Sequence, residues 1–89
     1  MKSAIGMYVA QKVQEKREAA GMSRRELADC LNLNESNLRQ AENPKLTFKY
    51  NLDHLNAIAI ILKCSICDFF PPQPIVKDAK YISTPEQSI

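Results

Sequence analysis

Cys64-Ser-Ile-Cys67 is the pair of reactive side chains in this 89-residue chain whose spacing could do chemistry. A C-x-x-C can ligate zinc or cycle between dithiol and disulfide. Zinc needs about four ligands, and the chain supplies no second cysteine pair and no histidine adjacent to this one. Thiol redox work needs a strand–turn–helix setting, whereas the residues around Cys64 carry helical patterns. The expectation is structural: Cys64 buried and Cys67 in the first turn of a short helix, with no metal and no cofactor. His54 stands alone, without a Ser/His/Asp constellation, and reads as a surface or core-edge residue. Enzymatic chemistry is not expected.

The totals narrow the remaining classes. Eighty-nine residues make one small domain, 45% hydrophobic and 25% charged, which is ordinary for a globular protein. No apolar run approaches the ~18 residues of a membrane span, and the N-terminus lacks the apolar core of a secretory signal. Three cysteines, an odd number (Cys30 is the third), fit reduced thiols in a cytoplasmic setting. The net charge of +2 is a mild excess, but its distribution is uneven. Lys12, Lys16, Arg17, Arg24, Arg25, Arg39, Lys45 and Lys49 all precede residue 50, and the last forty residues are close to neutral.

The elements follow from periodicity and caps. In residues 8–20, YVAQKVQEKREAA, Val9 and Val13 lie four apart with Ala10 and Arg17 on the same face, which predicts an amphipathic helix. Gly21 stands where a left-handed residue closes a helix. Ser23 with Glu26 three residues later is a capping box, so a second helix is expected at 24–31, burying Leu27, Ala28 and Leu31. Asn32-Leu33-Asn34 is then a turn: Asn32 suits a positive φ, Leu33 drops into the core, and Asn34 caps a third helix at 35–42. That helix must end before Asn43-Pro44, because the residue preceding proline avoids the helical region. NPKLTFKY is a loop, and Asn51 caps a fourth helix through Leu62 that carries Leu52, Leu55, Ile58 and Ala59. Its AIAIIL stretch predicts the most buried helix of the fold. Ser65 caps a fifth, short helix at Ile66–Phe70, stopped by Pro71-Pro72, after which an extended arm begins. The expected core also holds Leu38, Ile66 and Phe69.

Two short helices joined by a three-residue turn form a helix-turn-helix arrangement. One helix can then enter a DNA major groove while the other braces it across the backbone. Val13, Arg17, Gly21-Met22-Ser23, Leu27-Ala28, Leu31, Leu33, Leu38 and Glu42 together resemble the Cro and phage-repressor family, also called the xenobiotic-response-element family. "HLNAIAIILKCSICDFFP" resembles that family's last two helices. The chain departs from the family pattern at Arg24, where Gln is usual, at Asn32, which replaces the turn glycine, and at Asn43-Pro44, where a glycine is missing.

The resemblance implies an all-α, compact five-helix, lambda-repressor-like domain over residues 8–70, with an N-terminal extension at 1–7 and a proline-rich arm at 71–89. It implies an ion pair between Arg17 and Glu42 that fixes the angle of the third, recognition helix. Base reading would fall to Glu35, Ser36, Arg39 and Gln40. Gln40 can take adenine N6/N7 and Arg39 guanine O6/N7, each bidentately; Glu35 is expected to pair with Arg39 at i,i+4. Phosphate contacts would come from Arg24, Asn34, Asn37, Asn43, Lys45 and Lys49, with Tyr50 a further candidate, while Lys12 and Lys16 form a solvated face. The implied partner is double-stranded DNA with a pseudo-palindromic operator, and a second copy of the chain is expected to assemble around Ile66, Phe70 and the proline-rich start of the arm, with Ile75, Val76, Tyr81 and Ile82 extending the contact. The implied activity is repression by operator occupancy, of phage, mobile-element or antitoxin type, in the cytoplasm at the nucleoid. A protein-interaction module that kept the fold but lost specific DNA binding is the alternative, favoured by the near-neutral charge and by Glu35 at a reading position.

Overall fold

The computed structural model describes residues 1–82, which contain α1 (Ala4–Ala19), α2 (Arg24–Leu31), α3 (Glu35–Glu42) and α4 (Leu52–Leu62) and no strand. The last seven residues of the expected arm lie outside the described residues. Where a fifth α-helix was expected there is one 3₁₀ turn, Ile66–Phe69. The interval between the Ser65 cap and Pro71 accommodates only i→i+3 bonds, from Asp68 N–H to the Ser65 carbonyl and from Phe70 N–H to the Cys67 carbonyl.

α1 starts a full turn earlier than its apolar spacing predicts. Ser3 caps it, its hydroxyl accepting from the Gly6 N–H at 3.2 Å, so residues 1–7 belong to the folded unit. Gly21 (φ 69°) and Asn32 (φ 58°) both take the left-handed conformation expected of them. Lys63 (φ 57°) does the same after α4, without a glycine or asparagine to signal it.

The core is continuous. Val13, Leu27, Ala28, Leu38, Ala41, Leu55, Ile58, Ala59 and Phe69 are buried, and Val9, Leu31, Leu33, Leu62 and Ile66 pack half-buried against them. α2 packs on α3 and α4, and α1 on α3, α4 and the 3₁₀ turn. Tyr50 joins this core from the loop after α3, edge-on to Phe48 and His54. α4 is less buried than its sequence implies: Leu52 and Ile60 are each 71% exposed, with nothing among the described residues to cover them. Of the adjacent phenylalanines, Phe69 is fully buried and Phe70 is turned outward. From Pro71 to residue 82 the described residues form neither helix nor strand, with Ile75 and Ala79 half-buried. There Asp78 reaches back to α1, its carboxylate accepting the Ala4 N–H at 3.0 Å.

Candidate nucleic-acid interface

The interface is built from the ends of α2 and α3. Ser23 and Glu26 form the reciprocal capping box: the Glu26 N–H donates to Ser23 Oγ at 3.1 Å and the Ser23 N–H to Glu26 Oε1 at 2.8 Å. Hydrogen bonding of the Glu26 carboxylate to the Ser23 backbone N–H first, and to the Ser23 side chain next, lowers its pKa below the ordinary value. At the start of α3 the Asn34 N–H donates to Asn37 Oδ1 at 3.1 Å, so Asn37 serves the helix as well as any ligand.

α3 buries Leu38 and Ala41 completely, which fixes its rotation about its own axis. Glu35, Ser36, Arg39 and Gln40 consequently emerge exposed on the opposite side. Arg39 Nη2 lies 3.7 Å from Glu35 Oε2, the i,i+4 pair expected from the sequence. Both partners are well exposed, so the pair is easily exchanged for other contacts.

Glu42 closes α3 and is the electrostatic centre of the region. Its side chain is 3% exposed and takes Arg17 Nε at 2.9 Å and Arg17 Nη2 at 3.2 Å. Arg17 also donates to the Met22 carbonyl at 2.8 Å, tying the α1–α2 connection to the same cluster just before the α2 cap. A second arginine joins them. Arg24, expected to hold phosphate, donates its Nε to Glu42 Oε1 at 2.8 Å, a bond that raises the guanidinium pKa further. Its side chain is still 39% exposed. Arg24, Arg39, Gln14, Glu42 and Asn43 line a shallow recess of about 180 Å³, which sets two expected phosphate contacts, Arg24 and Asn43, beside one expected base contact, Arg39.

The remaining expected contacts divide. Asn34, Asn43, Lys45 and Lys49 are exposed, although Asn43 Oδ1 already accepts the Lys45 N–H at 2.9 Å. Tyr50 is withdrawn into the core, where burial, then Glu42, raises its pKa; its hydroxyl has no hydrogen-bond partner among the described residues. It is not placed to touch a phosphate. Lys12 and Lys16 pair with Glu15 and Asp68, both at 3.5 Å, as a solvated face. His54 completes a cap, its Nδ1 accepting the Asn51 N–H at 3.2 Å. Cys64 is half-buried while Cys30 and Cys67 are exposed, all three as free thiols. No group of three metal-ligating side chains converges among the described residues.

Sequence reasoning missed Lys2. It is 5% exposed, and its Nζ donates to the carbonyls of Gln40, Asn43 and Leu46 around the end of α3. Burial, and next the charge of Lys49, lower its pKa. Nothing in an isolated lysine near the chain start signals such a role.

Among solved structures, the chain is similar to the iron(II) form of HppE, with 25% identity and a TM-score of 0.69 over 94% of this chain and 44% of that one. It matches the cobalt(II) form of HppE in complex with Tris buffer at 25% identity and a TM-score of 0.70, covering 91% and 45%. Hydroxypropylphosphonic acid epoxidase from S. wedmorenis is similar at 26% identity and a TM-score of 0.68, covering 97% and 45%. The chain thus spans less than half the length of these proteins. No curated protein matches. Residues 12–74, which hold both short helices, the Arg17–Glu42 pair and the α4 core, match the Cro/C1-type HTH DNA-binding domain, and the chain belongs to that family.

Proposed function

We propose that the protein is a sequence-specific repressor that acts by occupying an operator. The observation that carries this reading is the exposure of Glu35, Ser36, Arg39 and Gln40 on one side of α3, while Leu38 and Ala41 lock the helix from behind. Gln40 and Arg39 read base edges, and Ser36 supports them. Glu35 holds Arg39 until DNA competes for it. Phosphate binding comes from Lys45, Lys49 and the amides of Asn34, Asn37 and Asn43, with Arg24 contributing the part of its guanidinium that Glu42 leaves free. The setting is that of phage, mobile-element or antitoxin regulators, in the cytoplasm at the nucleoid, and the chain acts by binding and not by catalysis.

One such helix covers a half-site, so two copies on a pseudo-palindrome, with their reading helices ~34 Å apart, would complete the site. The outward Phe70 and the exposed Val76, Tyr81 and Ile82 support the arm side as the dimer surface. Removing the residues after Pro72 tests it: the proposal expects a lower mass in solution or weaker binding to a full site, and no change in either would remove it.

Selection of bound duplexes from a random pool tests the main reading. A recurring, two-fold-related motif is expected. Recovery of unrelated sequences, or no salt-sensitive binding at all, would favour the alternative, a protein-interaction module on the same fold. The likeness to HppE keeps that alternative in view, since a similar fold there makes up under half of a longer chain.

A further inference from the structure

Lysine is almost never buried without a partner, and the partners of Lys2 are not carboxylates. Its ammonium donates to the carbonyl oxygens of Gln40 at 2.9 Å, Asn43 at 2.6 Å and Leu46 at 2.8 Å. An ammonium has three N–H donors, and this one has a carbonyl for each. The Lys2 backbone N–H adds a bond to the Pro44 carbonyl at 3.0 Å.

The end of α3 has particular need of such a clamp. The last carbonyls of a helix have no partner within it and carry the negative end of its dipole. α2 and α4 close with left-handed residues, Asn32 and Lys63, whose own N–H groups turn back onto the helix. α3 has no left-handed closure: Asn43 is extended (φ −93°, ψ 115°), its N–H turns back only to the Gln40 carbonyl at 3.2 Å, and Pro44 has no N–H to donate. The helix is eight residues long, so one unfixed end would move every side chain on it. Arg17 holds the Glu42 side chain and Lys2 holds the neighbouring main chain, both reaching from the α1 side of the molecule.

We propose that Lys2 is a positioning residue for DNA reading: its three-carbonyl clamp on the end of α3 sets the aim of Arg39 and Gln40 without itself contacting DNA. The inference rests on the reading role proposed above. An arginine would be a poor substitute, because its planar fork does not converge on three acceptors as an ammonium does. Since the ammonium is buried and its hydrogens are engaged, Lys2 adds nothing to counterion release, unlike a phosphate-binding lysine.

The test compares the wild-type chain with Lys2→Met, which keeps the stem and removes the donors. Where Lys2→Met does not hold its fold, Lys2→Arg is measured on the same scales. Hydrogen exchange on the free proteins should show amides of residues 40–46 exchanging about tenfold faster in the variant, with those of α2 unchanged, a loss of the size of a helix cap. The ratio of affinity for the selected duplex to that for a random-sequence duplex should fall about tenfold, as misaimed base contacts require, with the salt slope unchanged. An unchanged ratio with a slope smaller by about one would make Lys2 a phosphate contact and overturn the proposal. Faster exchange with the ratio and slope both unchanged would make it a fold residue only, which also overturns it. If the wild type itself prefers no duplex, the reading role fails first, in a measurement that does not involve Lys2, and the positioning role goes with it.

Discussion

Glu42→Gln is the perturbation with the most to say about how α3 is held. The wild-type carboxylate is almost completely buried and shared between Arg17, itself 7% exposed, and Arg24, which is 39% exposed. Removing one partner of a buried pair leaves the other charge uncompensated, at a cost of about 3–5 kcal/mol. The amide keeps one acceptor for Arg17, so the lower end applies, about 3 kcal/mol. The Arg24 share is solvent-screened and adds ~0–1 kcal/mol. Against a total of roughly 5–15 kcal/mol for a natural domain, the variant should still fold, but marginally. Urea unfolding followed by far-UV circular dichroism gives the loss as a lower midpoint at an unchanged slope. In 1 M salt, where the screening length is about 3 Å, the Arg24 share should vanish and the Arg17 share persist. Replacing both buried partners, Arg17→Met with Glu42→Leu, should recover most of the stability, because an apolar pair avoids the desolvation that the charges incur. A loss below about 1 kcal/mol in Glu42→Gln, or a double variant no better than the single, would refute the reasoning.

Three further outcomes follow from the core, the thiols and the α2 cap. Leu27→Ala, at a fully buried position in the centre of the core, should cost about 2–5 kcal/mol; a melting temperature close to wild type would show that the site collapses around the cavity. Burial raises the Cys64 pKa while Cys30 and Cys67 are exposed, so Cys64 needs a higher pH to form its reactive thiolate. Peptide mapping after alkylation near neutral pH should find Cys64 modified last, and equal rates would contradict the packing. The lowered Glu26 pKa means that the unfolded chain binds its proton at higher pH than the folded one. The resulting stability is present above the ordinary carboxylate range and is lost as pH falls through the folded value. Any stability advantage of the wild type over Glu26→Gln should therefore shrink on acidification; a gap that widens would place the benefit elsewhere.

The bounds of α2 and α3 were legible because each is marked by a local device: Ser23 with Glu26, the left-handed Asn32, and Asn43 before Pro44. The burial of Leu27, Leu38 and Phe69 was legible for the same reason, since short helices leave little choice of which face to hide. What failed to show was anything fixed by distant partners. Ser3 was a usable cap signal, but the apolar period of α1 weakens before residue 8, so the helix reads as starting late. α4 looks buried all round because AIAIIL is apolar all round, yet which side is covered depends on the elements that pack there, and Ile60 faces outward. Arg24 carries a phosphate-binding residue type, and only the folded chain brings Glu42 within 2.8 Å of it. Lys2 is the extreme case, with three acceptors 38, 41 and 44 positions away.

The reading role of α3 is tested most directly by comparing wild type and Gln40→Ala on the selected duplex and on each of its single-base variants. If Gln40 reads a base, the substitution should cost about 1–3 kcal/mol on the preferred duplex and abolish discrimination at one position, with the other positions keeping theirs. A uniform loss across all duplexes, with every preference intact, would contradict the claim that the exposed face of α3 reads the sequence.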